Sequence, residues 1–219
     1  PRQFLPFHPN GMLFEGIKEN EVIDKWTIYS VGGGELANES TVKNDDDIYP
    51  LTNMHDIMQW SDETGCAFWE YVEQHEGPEI WDFLKTVWDT MQSTIARGLE
   101  HEGVLPGGLG LQRKAGNYLL KSNSYSSSVR NKARVYAYAL ATSEENASGA
   151  TVVTAPTCGS CGVLPAVLYH LAGNYQFSEP RILRALATAG LIGNIVKENA
   201  FRCRLCHCLE ILVHTFLWR

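Results

Sequence analysis

The chain has little basic charge, no long apolar run and no export signal, and each absence removes a class of function. Its 18 Lys and Arg stand against 25 Asp and Glu, a net charge of −7. With a sequence pI of about 5.5 there is no basic face to attract phosphate backbones, so nucleic acid is not an expected partner. The most apolar stretch, residues 185–196, is interrupted by Thr188, Gly190, Gly193 and Asn194. It also falls short of the ~18 residues a membrane span needs, so no membrane partner is expected. The opening Pro1-Arg2-Gln3-Phe4-Leu5-Pro6 has neither an initiator Met nor the apolar core of a signal peptide, which predicts a fragment or processed chain located in the cytoplasm. In that setting Cys66, Cys158, Cys161, Cys203, Cys206 and Cys208 favour thiols or metal ligands over disulfides. Internal repeats are absent. The run Gly103-Val104-Leu105-Pro106-Gly107-Gly108-Leu109-Gly110 lacks the G-x-x-x-x-G-K-S/T order of a P-loop and follows no strand, which leaves a nucleotide site with little support.

What is present is ordinary globular composition, 44% hydrophobic and 20% charged, enough to bury a core without staples. Met12-Leu13-Phe14-Glu15-Gly16-Ile17 and Trp26-Thr27-Ile28-Tyr29-Ser30-Val31, joined by a polar turn, predict a β-meander over 11–36. Gly32-Gly33-Gly34 closes it, as a point of close approach to a ligand or as a flexible strand exit. The acidic, Asn-rich residues 39–47 read as a solvated linker and domain boundary. After Pro50 the period changes from 2 to 3.6. Asn53 caps an expected helix over 54–73, and Pro78 opens a second through Ile80, Leu84, Val87, Trp88, Met91 and Ile95, stopped by Gly98 and the Gly-rich run. Their aromatics read as core, because they recur at helical spacing. A polar connection over 123–128 leads to a helix over 129–145. Another helix follows Ser178 and Pro180, where Ala185, Ala187, Ala189, Gly190 and Gly193 permit close packing.

The chain centres on Thr154-Ala155-Pro156-Thr157-Cys158-Gly159-Ser160-Cys161-Gly162-Val163-Leu164-Pro165-Ala166-Val167-Leu168. A β-branched run leads in and an apolar helical pattern leads out. Gly159 and Gly162 let backbone N–H groups turn toward a ligand, and the helix N-terminus behind them favours an anion or a thiolate. The plain alternative is two small buried cysteines in a turn, since cysteine packs as a small hydrophobe.

This stretch resembles the signature loop of the bacterial iron–sulfur L-serine dehydratases. The likeness extends through Phe7-His8-Pro9-Asn10-Gly11-Met12, Tyr29-Ser30-Val31-Gly32-Gly33-Gly34, Arg97-Gly98-Leu99, Glu102-Gly103-Val104-Leu105-Pro106-Gly107, Glu144-Glu145-Asn146-Ala147 and Lys197-Glu198-Asn199-Ala200, all in family order over residues 1–200. It implies a mainly α fold, α+β overall. Residues 1–50 would be the end of a small antiparallel β-domain, 51–200 an incomplete helical catalytic domain and 201–219 a non-matching tail. The implied reaction takes L-serine to pyruvate and ammonia on a [4Fe–4S] cluster. An iron with one open position acts as a Lewis acid on the poor β-hydroxide leaving group. By the same resemblance Cys161 matches the first cluster cysteine, with Cys158 and Cys208 as further candidate metal ligands. His8, Asn10 and Thr157 are candidate catalytic residues, and Ser30, Gly32, Gly33 and Gly159 candidate substrate contacts. A homodimer is compatible with the resemblance.

Two departures shape the expectation. The family's upstream Ser-Ser-Ser-His-Thr motif has no counterpart here, and after Ala200 the text turns into Phe201-Arg202-Cys203-Arg204-Leu205-Cys206-His207-Cys208. The tail reads as the frame-shifted or rearranged end of a disrupted gene, and the chain is expected to be an incomplete or inactive form. A zinc-binding structural module using Cys158/Cys161 and Cys203/Cys206 is the alternative, although 41 intervening residues exceed the ~15–20 common in such sites. Cys203-x-x-Cys206-His207 also spells a haem attachment signal, a chemistry that normally needs export. Lys114, Lys121 and Lys197 stand in no context that suits a Schiff base, which argues against pyridoxal phosphate.

Overall fold

The computed structural model describes residue 7 and residues 11–19, 21–32, 35–40, 48–153 and 161–202. Two compact units are present, Pro1–Asp47 and Ile48–Arg219. In the first, alternating sequence builds β1 (Gly11–Lys18), β2 (Glu21–Gly32) and β3 (Glu35–Ala37), an antiparallel sheet in the order β1-β2-β3. The expected meander is therefore present. Lys18 pairs with Glu21 across a two-residue turn, and Glu19 there adopts φ +50°, the positive value that tight hairpin turns require. The register shifts between Gly16 and Ile17, a bulge that leaves Ile23 as the extra residue. Met12 and Phe14 pair with Ile28 and Trp26 on one face. The other face carries the Lys25–Glu15 ion pair at 3.6 Å. Tyr29 is buried, its ring 4.8 Å from that of Phe7.

The second unit is helical: α1 (Met54–Thr64), α2 (Phe68–Glu76), α3 (Ile80–Glu100), α4 (Ala115–Ser122), α5 (Ser127–Ala147), α6 (Val163–Tyr175) and α7 (Glu179–Arg202). None of these helices is long and apolar enough to cross a membrane. Asn53 caps α1 as expected, its side chain accepting from the Asp56 N–H at 3.0 Å. The single helix expected over 54–73 is instead two. Gly65 at φ +71° takes the left-handed stop and donates to the Ser61 carbonyl, and Glu70 accepts from the Ala67 N–H at 2.7 Å to start α2.

Along α3, Ile80, Leu84, Val87, Trp88 and Met91 form one buried stripe. It packs with Ile57, Tyr71 and Val72 and, from α7, with Ile182, Leu183, Leu186, Leu191 and Ile195. Trp60, Phe68 and Trp69 pack against this cluster as partly buried side chains, so the aromatics of the helical pattern are core. Gly98 does not stop α3, which runs on to Glu100. A methyl on Gly98 would meet the Ala141 carbonyl group of α5, with the carbonyl carbon at 2.7 Å. Opposite it, Ala133, Ala137 and Ala141 are buried at four-residue spacing, so α3 and α5 cross with almost no side chain between them.

α4 was not expected from the sequence. Its first turn has no local cap. Instead the Glu144 carboxylate of α5 accepts from the Lys114 N–H at 2.7 Å and the Ala115 N–H at 3.3 Å, satisfying orphan donors from 30 residues downstream. Replacing Gly98 by Ala is expected to cost about 1–3 kcal/mol, the range for overpacking, and to lower Tm by roughly 2–12 °C. Gly173→Ala in α6, where a methyl meets nothing within 4 Å, is expected to be neutral or stabilising by up to about 1 kcal/mol. Thermal unfolding followed by circular dichroism checks both.

Candidate functional site

Cys161 and Gly162 immediately precede α6, and Gly162 is its N-cap. The Cys161 side chain is 2% exposed, and neither it nor the half-buried Cys66 forms a disulfide. Cys161 thus stands beside the positive end of the α6 dipole, an environment that favours thiolate. Its position is set by backbone contact. A methyl on Gly162 would collide with the Ala139 carbonyl of α5, whose carbon lies 3.1 Å away, so only glycine lets the start of α6 rest directly on α5.

Upstream, the segment leading to Cys161 departs from the end of α5 and is tied to α3. Arg97 Nη2 donates to the Thr151 carbonyl at 2.6 Å, and Thr94 Oγ1 lies 3.2 Å from the same oxygen. Two residues on, Val153 packs against the main core cluster. The other end of the Arg97 guanidinium reaches α5, with Nε donating to Glu145 Oε2 at 3.2 Å.

Glu145 is the hub. Its side chain is fully buried, and it accepts from Arg97, from Arg113 Nη1 at 2.9 Å and from His101 Nδ1 at 2.8 Å. The ionised carboxylate has only acceptors, so the imidazole nitrogen is the donor in that pair. Arg113, 9% exposed as a side chain, also donates to Ser148 Oγ at 2.6 Å. It ends a short hairpin-like excursion closed by Leu105 N–H to Leu111 O at 2.7 Å and Arg113 N–H to Gly103 O at 2.9 Å. Burial pushes the Glu145 carboxyl up, and the hydrogen bonds from His101, Arg113 and Arg97 outweigh it, leaving the group below its ordinary value.

The expected site residues divide accordingly. Cys161 is buried at the α6 entrance. Ser30 and Gly32 lie in β2, opposite Leu36 and Glu35. His8, Asn10, Gly33, Thr157, Cys158, Gly159, Cys203, Cys206 and Cys208 lie outside the described residues. Among the described residues no three His, Cys, Asp or Glu side chains converge as a metal site.

A family model described as serine dehydratase alpha chain matches residues 13–204. The chain belongs to that family. L-serine dehydratase 1 of Escherichia coli strain K12 is 37% identical over 211 residues, covering 90% of this chain and 46% of the relative. The L-serine dehydratases of Haemophilus influenzae and Streptomyces coelicolor are each 37% identical over 215 residues, covering 91% of this chain and 47% of each relative. The chain thus spans about half the length of the curated relatives it matches. The family match takes in Arg97, Arg113, Glu145, Thr151 and Cys161 and runs four residues past Ala200.

Sequence reasoning placed Arg97 and Glu145 inside family-like strings and gave them no role; it missed Arg113 and His101 altogether. One signal was available. Glu144 and Glu145 stand in the last turn of α5, where the helix dipole opposes negative charge, so two carboxylates there imply donors supplied by other elements. Replacing Arg113 by Met leaves Glu145 buried with two donors instead of three, at an expected cost of about 3 kcal/mol, read as a fall in Tm of roughly 6–12 °C. Because the folded state holds Glu145 below its unfolded value, its contribution is fully present above the ordinary carboxylate pKa of ~4.3 and lost as pH falls through the folded value. Urea unfolding from pH 7 to pH 2 is therefore expected to show a smaller acid-side loss of stability for Glu145→Gln than for wild type.

Proposed function

We propose that this chain provides the cluster-binding helical part of an L-serine dehydratase, the carbon–oxygen lyase reaction that yields pyruvate and ammonia. The observation that carries the reading is the family membership, joined to a buried thiol, Cys161, at the N-terminal entrance of α6. The donor chemistry fits: a thiolate is the ligand type of iron–sulfur clusters, and the helix N-terminus favours the negative charge of a thiolate–cluster unit. When bound, a [4Fe–4S] cluster with one open iron position supplies Lewis acidity toward the β-hydroxyl of serine.

In this reading Cys161 holds the cluster, with Cys158 and Cys208 as further ligands. His8, Asn10 and Thr157 act as catalytic residues at the substrate, and Ser30, Gly32, Gly33 and Gly159 contact it. Burial of Cys161 keeps water from the sulfur, and the Gly162 contact with α5 fixes where the sulfur is presented. A cytoplasmic, reducing setting suits thiol ligands of this kind.

Anaerobic loading with ferrous iron and sulfide tests the reading. Wild type is expected to retain iron and acid-labile sulfide in equal amounts and to change its visible absorption on addition of L-serine but not D-serine. Turnover to pyruvate should stay below that of a full-length relative. Cys161→Ser is expected to keep its helical circular dichroism and to lose most of the bound iron. Iron content that Cys161→Ser leaves unchanged, or zinc retained in place of iron, overturns the reading.

A further inference from the structure

We infer that Arg97 is a positioning residue for the segment that delivers Cys161, acting by locking the first carbonyl of that segment onto the buried carboxylate of Glu145. The inference deepens the proposed function and rests on it for the role of the thiol. The geometry is a two-point mount. At the upstream point Arg97 bonds Thr151 O at 2.6 Å and Glu145 Oε2 at 3.2 Å through different nitrogens of one planar group. At the downstream point Gly162, next to Cys161, rests on the Ala139 carbonyl group. The downstream mount is on α5 itself, and the upstream one is reached through Arg97 of α3, which joins Thr151 to Glu145 of α5.

The guanidinium is specific to this task. Its fork spans an acceptor on α5 and an acceptor beyond α5 at once, whereas an ammonium is a point donor at the end of a flexible stem. Serving one acceptor with lysine would leave the other without its partner. Arg97 is also only partly buried, 37% exposed as a side chain, more exposure than burial of a core side chain would give. Thr94, which shares the Thr151 carbonyl and also bonds Thr90 O at 2.7 Å, is a lesser support for the same point.

Peptide-resolved alkylation of the full chain with iodoacetamide tests the inference without requiring turnover, and Cys66, in the turn between α1 and α2, serves as the internal reference. Arg97→Gln is expected to raise the Cys161 rate about tenfold or more, as loss of charge-assisted bonds promotes local opening, while the Cys66 rate stays constant. Arg97→Lys should recover part of the protection, and Thr94→Val should give a smaller increase. Met91→Ala, a core change on the same helix, should lower Tm and leave the Cys161 to Cys66 ratio at the wild-type value. In the iron-loaded protein, Arg97→Lys is expected to shift the electron paramagnetic resonance of the reduced cluster.

An unchanged Cys161 to Cys66 ratio in Arg97→Lys and Thr94→Val, with the helical spectrum retained, overturns the inference even if Arg97→Gln fails to fold. So does a matching rise in Met91→Ala, which would mark general destabilisation. A protected wild-type Cys161 that Arg97→Gln exposes, in a chain that retains no iron, leaves the positioning role standing and removes the cluster reading instead.

Discussion

A carboxylate with no access to water, Glu145, is the constraint on which the helical unit is arranged. Desolvating that charge is costly, and the cost is met only when its oxygens are hydrogen-bonded by several donors, two of them guanidinium groups. Those donors come from three places: Arg97 on α3, His101 just after it and Arg113 at the end of the Gly-rich excursion. None is local to α5, so the carboxylate can be buried only when α3, the excursion and α5 are all in place. The same donors extend outward, Arg97 to Thr151 and Arg113 to Ser148. The polar hub therefore fixes the path of the chain as it leaves α5 toward Cys161.

Close backbone approach makes the hub possible. Ala133, Ala137 and Ala141 give α5 a face of methyl groups, and Gly98 of α3, Gly116 of α4 and Gly162 before α6 each press against a carbonyl of a neighbouring helix, those of Ala141, Leu99 and Ala139 respectively. Helices that meet with so little between them bring short polar reaches within hydrogen-bond distance. α4 then needs no cap of its own, because Glu144 provides one. Two adjacent glutamates in one helical turn thus do different work. One terminates a neighbouring helix, and the other gathers basic side chains.

Within this frame the proposed chemistry rests on the thiol of Cys161. A cysteine in an apolar interior alone would be inert, since burial opposes thiolate formation, whereas a helix N-terminus favours it. Cys161 has both influences, burial and the start of α6. That combination is compatible with the proposed metal ligation, since a metal bond replaces the lost hydration of a thiolate.

The β-meander, the α3 stripe and the start of α7 after Ser178 were legible in the sequence, because alternation, helical spacing and capping are local properties of neighbouring residues. The stop at Gly65 is equally local, although the apolar spacing by itself runs through it as one helix. Cys161 stood out because glycine, serine and paired cysteines before an apolar helix are a compact signal. α4 and the Arg97–Glu145–Arg113 hub were not legible, because the partner that caps α4 and the partners that neutralise Glu145 lie tens of residues away. The sequence by itself determined the strands of the meander, the buried stripe of α3 and which sulfur stands at a helix entrance. Tertiary structure alone decided which charges meet and where the cysteine-bearing segment is tied down, since a buried ion pair exists only once distant elements have excluded water around it.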